Sequence, residues 1–214
     1  MTAARPSAVL LDFGGVLWNM RWDVARILES AHGLPPGALR ASLYGSEAWQ
    51  AVERGRGDRE AWLAAAHAEI ERLAGRPLPP LHVEWRASQH LIADTVELAR
   101  ALRPSYRLGV LSNADLTLRA RLSDGLGIIG LFDDVVCSAE VGCAKPQAEI
   151  YALACRRLGV PPGACVFVDD HDANVAAAEA VGMRGILYRV DRDDDLRAQL
   201  AAVGVAGCPP SGKG

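Results

Sequence analysis

A doubly wound α/β fold, with a mostly parallel sheet interrupted by a helical insertion, is what three features of the sequence predict. Short apolar runs recur at residues 8–11, 108–111, 135–136, 165–168 and 185–188, each closed by polar or turn residues. Helical periodicities separate these runs. One long interval, from about residue 20 to 88, carries helical patterns in succession and no convincing strand. Strands alternating with helices are satisfied by a parallel sheet covered on both faces.

The first strand, Ala-Val-Leu-Leu, leads directly into Asp12 and then Phe13-Gly14-Gly15-Val16. Within the insertion, helix breaks at Pro35-Pro36, at Gly55-Arg56-Gly57 and across residues 77–80 predict three or four short helices. The clearest runs from Asp58 to Ala74, with Asp58 as N-cap and Trp62, Ala65, Ala66, Glu69, Ile70 and Leu73 along its length. All five tryptophans, Trp18, Trp22, Trp49, Trp62 and Trp85, fall in or beside this interval. They read as the core of a small bundle, with a pocket-lining role for a minority as the alternative. After it, Leu91, Ile92, Val96, Leu98, Ala99 and Leu102 recur at helical spacing, a strand covers 108–111, and a helix is expected from Ala114 to Leu126. The helix containing Ile150, Leu153, Ala154 and Leu158 should stop at Gly159, because Pro161 and Pro162 keep it from resuming. No internal repeat is visible.

Composition narrows the class further. With 214 residues, 50% of them hydrophobic and 23% charged, the chain is neither disordered nor a small disulfide scaffold. A chain of this length buries roughly 70% of its unfolded surface, so a metal would serve chemistry rather than folding. A net charge of −3 without a dense basic block gives no footprint for nucleic acid or an anionic membrane. No apolar run approaches the ~20 residues of a membrane span, and the start, Met-Thr-Ala-Ala-Arg-Pro, lacks the apolar core of a signal peptide; both predict a cytoplasmic protein. Cys137, Cys143, Cys155, Cys165 and Cys208 are odd in number and lack metal-ligand spacing, which predicts reduced thiols.

The chemistry-bearing residues stand at strand ends. Asp12 follows the first strand, where glycines let the backbone approach a ligand, although an acid there is also a common turn former. Ser112-Asn113 closes the second strand and offers hydrogen bonds to an anion, or an N-cap to the next helix. Lys145 precedes a helix after the third, as an anion-pairing ammonium or a solvated one. Asp169-Asp170 ends the fourth, followed by His171, Asp172 and Asn174, and two adjacent carboxylates repel unless solvated or bound to a cation. Together they converge on the carboxyl edge of the sheet, where open α/β sheets bind ligands. Oxygen ligands suit magnesium, and a hydroxyl with a lysine suits phosphoryl oxygens.

Leu-Leu-Asp12-Phe-Gly-Gly-Val-Leu, Val-Leu-Ser112-Asn113, Gly-Cys-Ala-Lys145-Pro-Gln-Ala-Glu-Ile-Tyr151 and Val-Phe-Val-Asp169-Asp170-His-Asp-Ala-Asn174 stand in one order along the chain. In this the sequence resembles the haloacid dehalogenase superfamily, mostly magnesium-dependent phosphatases on a doubly wound, Rossmann-like sheet. The resemblance spans about residue 7 to 190 and likens the insertion to the helical cap of one large subgroup, which closes over the substrate. It implies a core of residues 1–19 and 89–206 and a cap of 20–88, while the proline- and glycine-rich composition of 207–214 predicts a flexible tail. Asp12 is then the nucleophile that takes a phosphoryl group as an aspartyl phosphate. Ser112 and Lys145 hold the phosphoryl oxygens, and Asn113 arranges the loop or the phosphate. Asp12, the backbone carbonyl of Gly14, Asp169 and Asp170 hold Mg2+, and the partner is a small phosphorylated metabolite.

The sequence departs from the family at one position. The second aspartate of the first motif, which protonates the leaving group, is replaced by Gly14, removing general acid–base help worth ~10²–10⁴-fold. Three outcomes follow: a substrate whose leaving group needs little protonation, such as an anomeric or acyl phosphate; an acid recruited from elsewhere; or lost catalysis, leaving a binding or regulatory protein. His32, His67, His82 and His90 are the candidate substitute acids, and His171 lies beside the metal carboxylates. Hydrolytic dehalogenation of a 2-haloacid is a further alternative, disfavoured because it gives no reason to gather Asp169 and Asp170.

Overall fold

The computed structural model describes residues 5–207. Its centre is a parallel sheet of five strands in the order β5-β4-β1-β6-β7, with β1 at Ala8–Leu11, β4 at Arg107–Ser112, β5 at Asp134–Cys137, β6 at Cys165–Asp169 and β7 at Arg184–Leu187. Two further strands, β2 (Trp18–Asn19) and β3 (His90–Leu91), pair antiparallel. Alternation along each strand divides the apolar residues between two faces. Val9, Leu11, Val110, Val166 and Val168 point to one core, while Ala8, Leu10, Leu111, Cys165 and Phe167 point to the other.

Helices cover both faces, as the apolar runs require. One face packs against α6 (Ala93–Leu102) and α11 (Leu196–Ala202), the other against α9 (Ala148–Leu158) and α10 (Asp172–Ala180). Two short helices, α7 (Leu118–Ala120) and α8 (Ser138–Val141), follow β4 and β5. Chain order reverses between β1 and β6, which makes their carboxyl ends the switch point where ligands bind in such sheets.

Between β2 and β3 lie α1 (Trp22–Ala31), α2 (Ala38–Tyr44), α3 (Glu47–Val52), α4 (Arg59–Ala74) and α5 (Leu81–Ser88), packed around an apolar cluster of their own. Five helices replace the three or four expected, because Gly45 and Ser46 add a break: the Ser46 hydroxyl accepts from Trp49 N–H and starts α3. Asp58 caps α4 as expected, accepting from Ala61 N–H at 2.6 Å. The carboxylate of Glu29 is buried in α1 and accepts from Gly37 N–H and Leu39 N–H, both at 2.8 Å, so one helix satisfies the donors that open the next. Trp49, Trp62 and Trp85 are buried in this cluster, and Trp22 stacks on Trp85 with ring centres 4.7 Å apart.

Other expectations need correction. The helix expected from Leu91 begins at Ala93, since Leu91 pairs with Trp18 in β3. The helix expected over residues 114–126 is broken: Asp115 accepts from Thr117 N–H, α7 lasts three residues, and Arg121–Gly125 is a π-helical turn. Gly159 ends α9 in the left-handed region, as expected. Cys137, Cys143, Cys155 and Cys165 are free thiols. Cys208 and all of the expected tail beyond Gly207 lie outside the described residues. No helix among the described residues is long and apolar enough to cross a membrane.

Candidate active site

Strand register brings the scattered acids together. Leu11 lies opposite Val110 on β4 and Val168 on β6, and Asp12 N–H continues the pairing to Val168 C=O at 2.9 Å. Asp12, Ser112 and Asp169 therefore emerge side by side at the carboxyl edge. Carboxylate oxygens of Asp12, Asp169 and Asp170 lie within 4.8 Å of one another.

Lys145 enters between two of them, its Nζ 3.0 Å from Asp12 Oδ1 and 2.6 Å from Asp169 Oδ2, with both ends of each pair buried. Its main chain is held by Asn113, whose Nδ2 donates to Lys145 C=O at 2.9 Å and whose Oδ1 accepts from Lys145 N–H at 2.8 Å. Asn113 is thus not an N-cap, and its contacts support the loop-arranging role. Asp169 also accepts from His171 N–H at 2.8 Å and from Asn174 Nδ2, 3.1 Å from both of its oxygens. Asn174 therefore belongs to the constellation, anchored through its carbonyl by the Tyr151 hydroxyl at 2.9 Å.

Phe13 N–H donates to Asp12 Oδ1 at 2.6 Å, so that oxygen is committed to Phe13 and Lys145. Asp12 Oδ2 makes no hydrogen bond among the described residues. The turn after Asp12 requires glycine at position 15, where φ is +79° and a Cβ would come within 2.4 Å of the Asp170 carboxylate.

Three carboxylates face one ammonium here, and the imbalance is expressed in their acidities. Burial, opposed by Lys145 and reinforced by Asp169 and Asp170, pushes Asp12 up to about 7. Burial and then Asp169 also raise Asp170. Burial alone would lower Lys145, but Asp12 and Asp169 outweigh it and hold the ammonium well above its ordinary value. Hard oxygen donors with surplus negative charge fit a divalent cation such as Mg2+.

Two clefts open from this point. One of about 330 Å3 lies between the sheet edge and the helical insertion, reaching Asp12, Gly14, Ser112 and Asn113 below and Trp18, Trp49 and Trp62 above. The other, about 890 Å3, opens beside Asp170 and His171. Although larger, it reaches neither Asp12 nor Ser112, which both line the smaller one. Both expectations for the tryptophans hold in part, since Trp49 and Trp62 are bundle core and cleft wall at once.

None of His32, His67, His82 and His90 lines the smaller cleft. His32 closes α1, His67 Nε2 faces Glu71 at 3.6 Å, and His82 packs near His67. The basic wall formed by Arg59, Arg86 and Arg121 escaped the sequence reading, because its members come from three distant segments and carry no shared spacing.

Similarity to known proteins follows the same lines. The chain is 26% identical over 185 residues to the sesquiterpene phosphatase of Aspergillus oryzae, covering 84% of this chain and 88% of that protein. It is 28% identical over 204 residues to the mouse acyl-CoA dehydrogenase family member 10, of which it spans only 19%. Among solved structures, a HAD family enzyme of Bacteroides thetaiotaomicron in complex with magnesium and inorganic phosphate aligns with a TM-score of 0.65 and 19% identity, over 91% of this chain and 98% of that one, a likeness of fold. Residues 6–182 match the haloacid dehalogenase-like hydrolase family, and the chain belongs to it.

Proposed function

We propose that this hydrolase is a magnesium-dependent phosphatase acting on a small phosphorylated metabolite through an aspartyl-phosphate intermediate at Asp12. The observation that carries this is the asymmetry of the Asp12 carboxylate, with Oδ1 tied to Phe13 N–H and Lys145 and Oδ2 left for attack. The phosphatase name of the Aspergillus relative supports the same chemistry.

In this mechanism Oδ2 attacks phosphorus, the leaving oxygen departs into the smaller cleft, and water then cleaves the acyl phosphate. The Ser112 hydroxyl and the Lys145 ammonium bind phosphoryl oxygens as they gain charge. Asn113 fixes where Lys145 stands. Asp12, the Gly14 carbonyl, Asp169 and Asp170 are the residues that would hold Mg2+. When bound, the ion draws charge from the phosphoryl group and offsets the crowding of carboxylates. Residues 20–88 act as a cap that closes the cleft over the substrate.

Hydrolytic dehalogenation fits less well, because attack on carbon leaves the gathered Asp169 and Asp170 without a task. A second reading, a protein that binds a phosphorylated ligand without turnover, is favoured by the missing side chain at Gly14.

Phosphate release from a panel of phosphorylated metabolites, with magnesium, with chelator and as Asp12→Asn, tests the proposal. We expect turnover that needs both the metal and Asp12. Release that survives in Asp12→Asn contradicts the covalent route, and binding without release supports the second reading.

A further inference from the structure

Position 14 is open to a side chain, and nothing acidic occupies the space. Gly14 lies outside the left-handed region, and a Cβ there would meet Met20 Sδ at 3.4 Å, an ordinary contact. The thioether of Met20 is therefore what borders position 14, and it neither gives nor takes a proton. Among the described residues the one carboxylate besides Asp12 that lines the cleft is Asp115, and it is engaged by Arg59 Nε at 2.9 Å and by Thr117 N–H at 2.9 Å.

The cleft supplies positive charge instead. Arg121 and Arg86 line it, and among the described residues neither forms an ion pair. The Arg121 guanidinium stacks 4.7 Å from the Phe13 ring centre and 5.4 Å from that of Trp18. The Arg86 guanidinium lies 5.4 Å from the Trp62 ring centre. Stacking uses the flat face of a guanidinium and leaves the N–H edge of Arg121 for an anion, while the edge of Arg86 already reaches the Tyr44 hydroxyl. Two cations, Arg121 and Arg86, thus line the cleft the leaving group enters, and apart from Asp12 no carboxylate lining it among the described residues is unpaired.

From this juxtaposition we infer that the leaving group departs as an anion received by Arg121 and Arg86, so that the substrate is a phosphoanhydride, either an acyl phosphate or an organic diphosphate. The inference rests on the phosphatase mechanism above and names its substrate class. Asp12 Oδ2 forms a bond to the terminal phosphorus while the bridging P–O bond breaks. The electron pair stays on the departing carboxylate or phosphate oxygen, and no proton is needed. Water then adds to the aspartyl phosphate, the P–O bond to Asp12 breaks, and inorganic phosphate carries off the oxygen of water with its protons shared between phosphate and solvent.

The test measures kcat/KM with magnesium for acetyl phosphate, an alkyl diphosphate, α-glucose 1-phosphate, 4-nitrophenyl phosphate and phenyl phosphate. We expect the anhydrides to exceed phenyl phosphate by at least ~10²-fold, the lower end of what a general acid contributes. Preference between the first two separates acyl phosphate from diphosphate. Arg121→Gln and Arg86→Gln should each cost the anhydride about ten-fold more than they cost 4-nitrophenyl phosphate. A binding readout stands beside the kinetics: methylenediphosphonate, titrated calorimetrically into Asp12→Asn protein, should bind about ten-fold more weakly after either arginine change. Equal rates on anhydrides and phenyl phosphate overturn the inference while leaving the phosphatase mechanism standing. So does a flat dependence that becomes steep in Tyr44→Phe, which would place the acid in that cleft phenol. Silence on every substrate, with magnesium present, overturns both.

Discussion

At the scale of single residues, Asp12 is a charge the fold holds at a cost. Its carboxyl titrates near 7 in the folded protein against an ordinary value of 3.8. A raised carboxyl favours the folded state while protonated, so this contribution is complete below the ordinary value and is lost as pH rises towards 7. In metal-free protein, Asp12→Asn should therefore raise the melting temperature at about pH 8 and flatten its decline between about pH 4 and 7. Thermal unfolding in chelator checks this, and a lower melting temperature for the variant at about pH 8 would contradict it. Asp12, Ser112, Lys145, Asp169 and Asp170 were legible in the sequence because each follows an apolar strand or stands in the loop after one. Asn113 was legible as a residue that arranges the loop, but not in its partner, since Lys145 is distant in the chain. Arg59, Arg86 and Arg121 were illegible because only the packing of the insertion against the core gathers them.

At the scale of elements, the insertion depends on a few caps and on its tryptophans. Asp58→Ala removes the acceptor for Ala61 N–H and should cost about 1 kcal/mol of stability. Trp62→Ala empties a fully buried site and leaves the carbonyl of Leu43 without its indole donor, for a loss of about 3–5 kcal/mol. Glu29→Ala strips acceptors from Gly37 N–H and Leu39 N–H and should cost more than Asp58→Ala, because these donors are less exposed. Denaturant midpoints for the three variants check the order, with Asp58→Ala the mildest. The long elements could be read from periodicity. β2 and β3 could not, for two-residue strands leave no alternation to detect. Nor could the π-helical turn at Arg121–Gly125, whose sequence is that of an ordinary helix.

At the scale of the molecule, a sheet core and a helical insertion with separate apolar clusters meet across the smaller cleft. An ion pair and a close backbone approach are among the contacts that join them. Arg59 of α4 pairs with Asp115 after β4, and Gly55 seats its loop so tightly on the core that a Cβ would come within 2.2 Å of Ala139 C=O. With φ at +69° as well, Gly55→Ala must lift that loop. KM for the best substrate should then rise about ten-fold, a change of about 1.4 kcal/mol, with little change in kcat. Steady-state kinetics distinguish this from a fall in kcat alone, which would deny the insertion a part in holding substrate. Division into sheet and helical insertion was readable from where strands stop recurring; the tightness of the contact between them was not, because it depends on backbone approach at one glycine. The central claim, that Asp12 carries the phosphoryl group, is tested most directly by reducing the protein with borohydride during turnover and mapping its peptides. Homoserine at position 12, formed only with substrate and magnesium, is the predicted result. An unmodified Asp12 in protein that is releasing phosphate would contradict it.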